Sequence, residues 1–268
     1  MTTNTNITFI IKTFERPDAL KNLLVSINQF YPKNRVLIAD DGKIPYSEPL
    51  ENDNMEYFKL DYDSGLSYGR NFLVNKVDTK YFLLLDDDYV FSRETQIEEF
   101  ERILSTNNDI HMVGGLVINY GEVPIYYHGC LEIKQDILYH HRKQHKMIIN
   151  EHKIYDIILN FFLAETEKVK SILWDPDLKV LEHEDFFLRC TNKINITYTE
   201  DVSILHYPKC QHQEKRKKFT TLFWEKYKIV KEIQLEDGEE IELIHWQDYN
   251  ETEFTKKERA KIKKEKSE

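Results

Sequence analysis

Cysteine is scarce in this 268-residue chain: only Cys130, Cys190 and Cys210 occur. An odd number at wide spacing argues against a disulfide framework and a zinc set, and reduced thiols are expected. Basic residues are also outnumbered, 37 Lys and Arg against 47 Asp and Glu, for a net charge of -10. Affinity for a phosphate backbone comes largely from clustered basic residues, so nucleic acid is not expected as a partner. Long apolar runs are missing too. The longest, such as Ile7 to Ile11 and Tyr81 to Leu85, are of strand length and far short of a bilayer crossing. Met1 to Asn6 lacks the basic and apolar regions of an export signal. The expectation is a cytoplasmic protein without a transmembrane segment, in which the sequon at Asn195 carries no glycan.

What is present is apolar and aromatic material: 41% hydrophobic and 13% aromatic residues, enough for a packed core. Short apolar runs alternate with helix-like segments through the first hundred residues, as in a parallel sheet with crossover helices. Strands are expected at Ile7–Lys12, Arg35–Ala39, Glu56–Leu60 and Lys80–Leu85. A helix starts at Pro17 and carries Ala19, Leu20, Leu23, Leu24 and Ile27 at helical spacing. Leu66–Lys76 fits a second helix. Ser92 is placed to cap a third, with Ile97, Phe100, Ile103 and Leu104 on one face. From Met112 the pattern becomes strand-rich, with a helix near Asp185–Cys190 and two short strands in Asn195–Leu205. Lys256–Glu268 is almost entirely charged and reads as a frayed helix or disordered tail.

Five segments carry candidate chemistry. Leu83-Leu84-Leu85 runs into Asp86-Asp87-Asp88, concentrating negative charge at a strand's carboxyl end, where open α/β folds bind ligands. A divalent cation is a natural reason for such carboxylates, and a solvated acidic turn is the alternative. Ile38-Ala39-Asp40-Asp41-Gly42 ends a second strand in the same way; one carboxylate there suits a base N–H, although Asp-Gly is also a common turn pair. Arg70 falls between apolar positions of a helix, suited either to a nucleotide or to an internal salt bridge. His183-Glu184-Asp185-Phe186-Phe187 starts a helix with acids, which serve as a general base or simply favour the helix dipole. His206 follows a strand and offers an imidazole to a carboxylate metal site, or plays a structural part.

In this order the segments resemble GT-A fold glycosyltransferases, those of the β-1,4-N-acetylgalactosaminyltransferase (ganglioside-synthase) type and, more broadly, family 2. The matching stretches include Ile11-Lys12-Thr13-Phe14-Glu15-Arg16-Pro17, Gly69-Arg70-Asn71, the Asp86-Asp87-Asp88 triplet, Val113-Gly114-Gly115, Asn160-Phe161-Phe162-Leu163-Ala164, Trp174-Asp175-Pro176 and His206. The resemblance implies an α/β, Rossmann-like fold with a mostly parallel central sheet flanked by helices. Residues 1–110 would bind the nucleotide sugar, 111–210 the acceptor, and 211–268 would form an extension with a charged tail.

The resemblance also implies roles. Thr13, Arg16, Asp40, Asp41 and Arg70 would line the nucleotide pocket, and Asp86 and Asp87 would face ribose and sugar. Asp88 and His206 would hold manganese, with magnesium as the alternative. Asp185, with Glu184 in reserve, would be the base, and Trp174 would offer a face to a sugar ring or join the core. The implied reaction is inverting transfer of N-acetylgalactosamine from a UDP-sugar to a glycan or other hydroxyl acceptor. Transfer of glucose, galactose or N-acetylglucosamine, and a non-catalytic sugar-binding module, are the rival readings. Enzymes of this type carry an amino-terminal anchor and stem not seen in this sequence, which suggests a bacterial or viral cytosolic setting.

Overall fold

Alternation along the first strands builds the fold. In β1 (Ile7–Thr13), Ile7, Phe9 and Ile11 join one apolar cluster and Ile10 joins another on the opposite face. Covered on both faces, such a strand is apolar at nearly every position. The structure, a computed structural model, describes residues 6–119, 124–208, 220–237 and 239–242. Cys210 and the charged stretch from Lys256 lie outside them.

After β1 come α1 (Pro17–Phe30), β2 (Arg35–Asp40), β3 (Met55–Lys59), α2 (Leu66–Lys76), β4 (Tyr81–Asp86), β5 (Tyr89–Val90) and α3 (Ile97–Thr106). Strands β1, β2, β3 and β4 are parallel, in the order β4-β1-β2-β3. Thr13 pairs with Asp40 and Lys12 with Asp86, so three strands end level at one edge. Ser92 does not cap α3. Its hydroxyl turns to Glu94 at 2.7 Å inside a separate turn, and the helix begins after Gln96.

The second half supplies β6 (Met112–Asn119), β7 (Pro124–Ile125), β8 (Gly129–Lys134), β9 (Ile137–Arg142), β10 (Met147–Ile149), β11 (His152–Tyr155), β12 (Phe162–Glu165), α4 (Thr166–Lys170), α5 (Glu182–Cys190) and β13 (Ile196–His206). The main sheet runs β10-β11-β13-β6-β12-β4-β1-β2-β3, with β12 antiparallel to both neighbours, so it is mixed, with a parallel half. The two strands expected in Asn195–Leu205 are one strand whose register shifts between Tyr198 and Ser203. Exposed Glu200 and Asp201 lie within that irregularity.

The described part of the C-terminal region is α6 (Thr220–Tyr227), β14 (Lys231–Glu236) and β15 (Glu239–Glu242). Strand β14 adds parallel to β9, completing a small sheet in the order β15-β14-β9-β8. Phe223 and Trp224 are buried in the apolar cluster that also holds Leu73, Trp174 and Phe186. The segment therefore belongs to the folded unit and packs near α5. Among the described residues no helix is long and apolar enough to cross a membrane.

Candidate active site

Strand ends β1, β2 and β4 deliver Thr13, Asp40 with Asp41, and the Asp86–Asp88 triplet to one sheet edge. Nine of the ten carboxylate oxygens in those five acids meet a donor or sit beside a cation, and the tenth, Asp88 Oδ1, faces His206. Asp86 meets Arg70 Nη2 at 3.0 Å and Asn160 Nδ2 at 3.5 Å. Asp87 accepts from the Thr13 hydroxyl at 2.7 Å and lies 2.5 Å from Arg16 Nη2. Asp88 accepts from Arg16 Nη1 at 2.7 Å. Burial pushes the Asp87 carboxyl up to about 6, against the opposing pull of Arg16 and Thr13. Burial also acts on Asp88, but His206 and Arg16 outweigh it and hold that carboxyl below its usual value.

His206 is brought in by the end of β13, which pairs with β5 immediately after the triplet; the Tyr207 amide also donates to the Asp88 carbonyl at 2.9 Å. Its Nδ1 is 2.7 Å from the Asn119 side-chain oxygen, which makes Nδ1 the donor. Nε2 then faces Asp88 Oδ1 at 3.5 Å. A lone pair and a carboxylate oxygen so opposed repel unless a proton or a metal ion lies between them. The separation also suits two ligands sharing one cation through bonds of about 2.1 Å. Among the described residues no group of three or more His, Cys, Asp and Glu side chains is arranged to hold a metal. Asp88 and His206 would supply two ligands to a divalent cation bound between them, and the others would have to come from water or a bound molecule.

Arg70 is 1% exposed, held by Asp86 and by Glu182 at 3.5 Å, with the Trp174 ring 5.6 Å from its guanidinium carbon. The internal ion pairs that were one of the two sequence alternatives are present. Trp174 is a core residue: one face stacks on Phe186 at 4.2 Å, and it is 2% exposed. It has no face for a sugar, which corrects the platform expectation. Asp40 is turned inward, accepting from the Gly42 amide at 2.7 Å, the Tyr46 amide at 3.2 Å and the Tyr57 hydroxyl at 2.6 Å. It braces the loop after β2 and has no acceptor left facing the edge. Asp41 pairs with Lys12 and accepts from the Gly65 amide at 2.7 Å. Lys12 reaches it across Gly69, where an added Cβ would lie 2.6 Å from Lys12 Cγ. Burial lowers the Lys12 ammonium pKa despite the Asp41 charge.

Helix α5 separates the two base candidates. Asp185 is fully buried and turned away from the triplet: Arg189 Nε donates at 2.8 Å, the Tyr227 hydroxyl at 2.8 Å, and Lys226 closes the remaining side. Both Asp185 oxygens are engaged by these groups, which tie α5 to α6. Glu184 receives its own backbone amide and, at 3.4 Å, the Tyr127 hydroxyl. Burial, then the nearby Glu232 charge, pushes its carboxyl up to about 8. Just before them, His183 connects to the triplet through Asn160, with Nδ1 2.9 Å from the Asn160 side-chain oxygen. Lys12, Asn119, Asn160 and Glu182 are site neighbours that the sequence reasoning did not single out. For Lys12 the signal was a charge at the end of an otherwise apolar strand.

With this geometry in hand, similarity to known proteins is informative. The glycosyl transferase family 2 profile matches residues 8–169. Human beta-1,4 N-acetylgalactosaminyltransferase 1 is 32% identical over 211 residues, covering 76% of this chain and 39% of that protein. Mouse beta-1,4 N-acetylgalactosaminyltransferase 2 is 34% identical over 206 residues, covering 75% and 39%. The chain thus spans about two fifths of the length of these relatives. Among solved structures, S. aureus TarS 1-349 in complex with UDP superposes with a TM-score of 0.55 at 14% identity, covering 76% of this chain and 61% of that one. GalNAc-T7 with UDP, GalNAc and Mn2+ gives 0.58 at 14% identity, covering 84% and 49%. Both are similar in fold. The parallel strands ending level in carboxylates, and the profile match across most of that half, lead to one conclusion: the chain belongs to glycosyl transferase family 2 and has its GT-A fold.

Proposed function

We propose that the chain transfers a sugar, N-acetylgalactosamine first among the donors to test, from a UDP-sugar to a hydroxyl acceptor, with inversion and with a divalent cation, Mn2+ before Mg2+. The observation that carries this reading is the pairing of Asp88 Oδ1 and His206 Nε2 at 3.5 Å beside the triplet, with the other imidazole nitrogen committed to Asn119. A cation held there supplies Lewis acidity toward a departing diphosphate. The N-acetylgalactosaminyltransferase relatives support the donor choice.

The chain's own residues divide the remaining work. Arg70, buried between Asp86 and Glu182, fixes Asp86 rigidly at the edge, where it can accept from sugar or ribose hydroxyls. Thr13 orients Asp87. Arg16, with a side chain 25% exposed, is the guanidinium with room to meet phosphate oxygens in a bidentate contact. Glu184 takes the acceptor proton, because its raised carboxyl pKa lies near the working pH and no cation among the described residues pairs with it. Charge growing on the leaving group then meets the Arg16 guanidinium, already held in place by Asp87 and Asp88.

The test is calorimetric titration of UDP with and without Mn2+, on the wild type and on Asp88→Asn. The wild type should bind UDP more tightly with Mn2+, and the folded variant should lose that enhancement. Equal Mn2+ enhancement in both removes Asp88 from the site.

A further inference from the structure

One face of the small sheet packs on α5 and carries two buried polar side chains. Leu138 of β9 shares an apolar cluster with Phe186 and Phe187 of α5. Strand β14 runs parallel to β9 with Glu232 opposite Leu138, and His140 lies two residues further along β9. Residues two apart leave a strand on the same face, so Glu232 and His140 share the face of Leu138. They are 4% and 2% exposed. Glu232 Oε1 accepts from the Trp224 indole N–H at 3.4 Å, and Oε2 lies 3.5 Å from His140 Nε2. Neither partner is a fixed cation. Burying a carboxylate without one is costly, so its place calls for a reason.

Across the interface stands Glu184, half-buried at the start of α5, and Glu232 is the charge that acts on it most strongly. The other charged groups nearby are committed elsewhere. Glu182, on the same helix, pairs with Arg70, which also holds Asp86. Arg142, at the end of β9, lies over the Tyr127 ring, its guanidinium carbon 4.4 Å from the centroid. His183 turns Nδ1 to Asn160, and burial pushes its imidazole pKa down to about 3. Tyr127 points its hydroxyl at Glu184. Glu232 is thus a carboxylate beside Glu184 that has no lysine or arginine partner among the described residues.

We propose, resting on the reading of Glu184 as the base, that Glu232 is a positioning residue for it: a fixed negative charge, held by Trp224 and His140, that sets the pH at which Glu184 can take the acceptor proton. Repulsion between two close carboxylates makes one of them ionise late, and the late one is the stronger base once ionised. Helix α6 and strand β14 then serve proton transfer as well as the fold.

The experiment is a double-mutant cycle on the full chain, with wild type, Glu184→Gln, Glu232→Gln and the double variant unfolded in urea at about pH 6 and about pH 9. Glu232→Gln keeps an acceptor for the Trp224 N–H; Glu232→Met, of similar volume and uncharged, replaces it if the glutamine variant does not fold. At the higher pH both carboxyls ionise, and the cycle should show a repulsive coupling of about 10-fold in the unfolding equilibrium, the equivalent of about one pH unit. At the lower pH, with Glu184 protonated, the coupling should shrink toward one. The pH profile of UDP release from UDP-N-acetylgalactosamine with Mn2+ is the second readout. Its rising limb should move about one unit toward acid in Glu232→Gln, raising the ratio of the rate at about pH 6.5 to that at about pH 8.5 by about 5–10-fold. Glu232→Asp, which restores the charge, should return the limb toward the wild-type position. A wild-type limb in folded Glu232→Gln, or a coupling equal at both pH values, overturns the inference. Glu184→Gln turning over like the wild type means that Glu184 is not the base, and the inference falls with that reading whatever the cycle shows.

Discussion

Replacing Asp185 with Asn separates a structural brace from a catalytic base. The side chain is fully buried and receives Arg189, Lys226 and the Tyr227 hydroxyl, which tie α5 to α6. Neutralising one partner of a buried ion pair costs about 3–5 kcal/mol when the other charge stays desolvated. Here the cations keep an outlet, with Arg189 and Lys226 side chains 26% and 34% exposed, so the loss falls below that range, at about 2–3 kcal/mol. For a domain of this size each kcal/mol lowers the melting temperature by about 2–4 °C, which gives a fall of roughly 5–10 °C. Thermal unfolding followed by circular dichroism measures it, and UDP release is assayed well below the transition. Transfer by the folded variant should stay within about tenfold of the wild type, well above the 10²–10⁴-fold loss that follows removal of a base. An unchanged melting temperature together with that loss of transfer would refute the argument and restore Asp185 as the base.

Glu184→Gln should show the reverse pattern, with donor binding kept and transfer down by roughly 10²–10⁴-fold. The wild-type rate should rise with pH toward a limb near 8, where the Glu184 carboxyl ionises. The same shift affects stability. A folded-state pKa raised from 4.5 to about 8 gives a stabilising contribution that is complete below 4.5 and is lost as pH climbs through 8. Unfolding of Glu184→Gln at pH 6 and pH 9 should therefore show less loss at the higher pH than the wild type does. Trp224→Ala should destabilise by about 3–5 kcal/mol in chemical denaturation, because the indole is 1% exposed in the core beneath α5. A change below about 1 kcal/mol would mean that α6 contributes little to the fold.

The parallel half was legible because its strands are buried on both faces and read as short apolar runs, and its helices carry clean apolar stripes. The triplet, Asp41, Arg16 and Thr13 also fell together as expected, since strands ending in carboxylates share an edge when they run parallel. What stayed hidden depends on contacts distant in sequence. Nothing local announces that Trp174 stacks on Phe186, or that Asp185 is closed off by Lys226 and Tyr227 from α6. Glu184 and Asp185 are adjacent, and which one keeps free oxygens is decided by elements about forty residues away. The small sheet was missed because β14 pairs in parallel with β9, a non-local partner.

The most direct measurement of the central claim is UDP release from a panel of UDP-sugars with Mn2+ present or chelated, on the wild type and Asp88→Asn. Turnover of one donor, UDP-N-acetylgalactosamine foremost, should require the cation and should fall by at least about 10²-fold in the variant. Turnover that survives both chelation and the loss of the Asp88 charge would contradict the account.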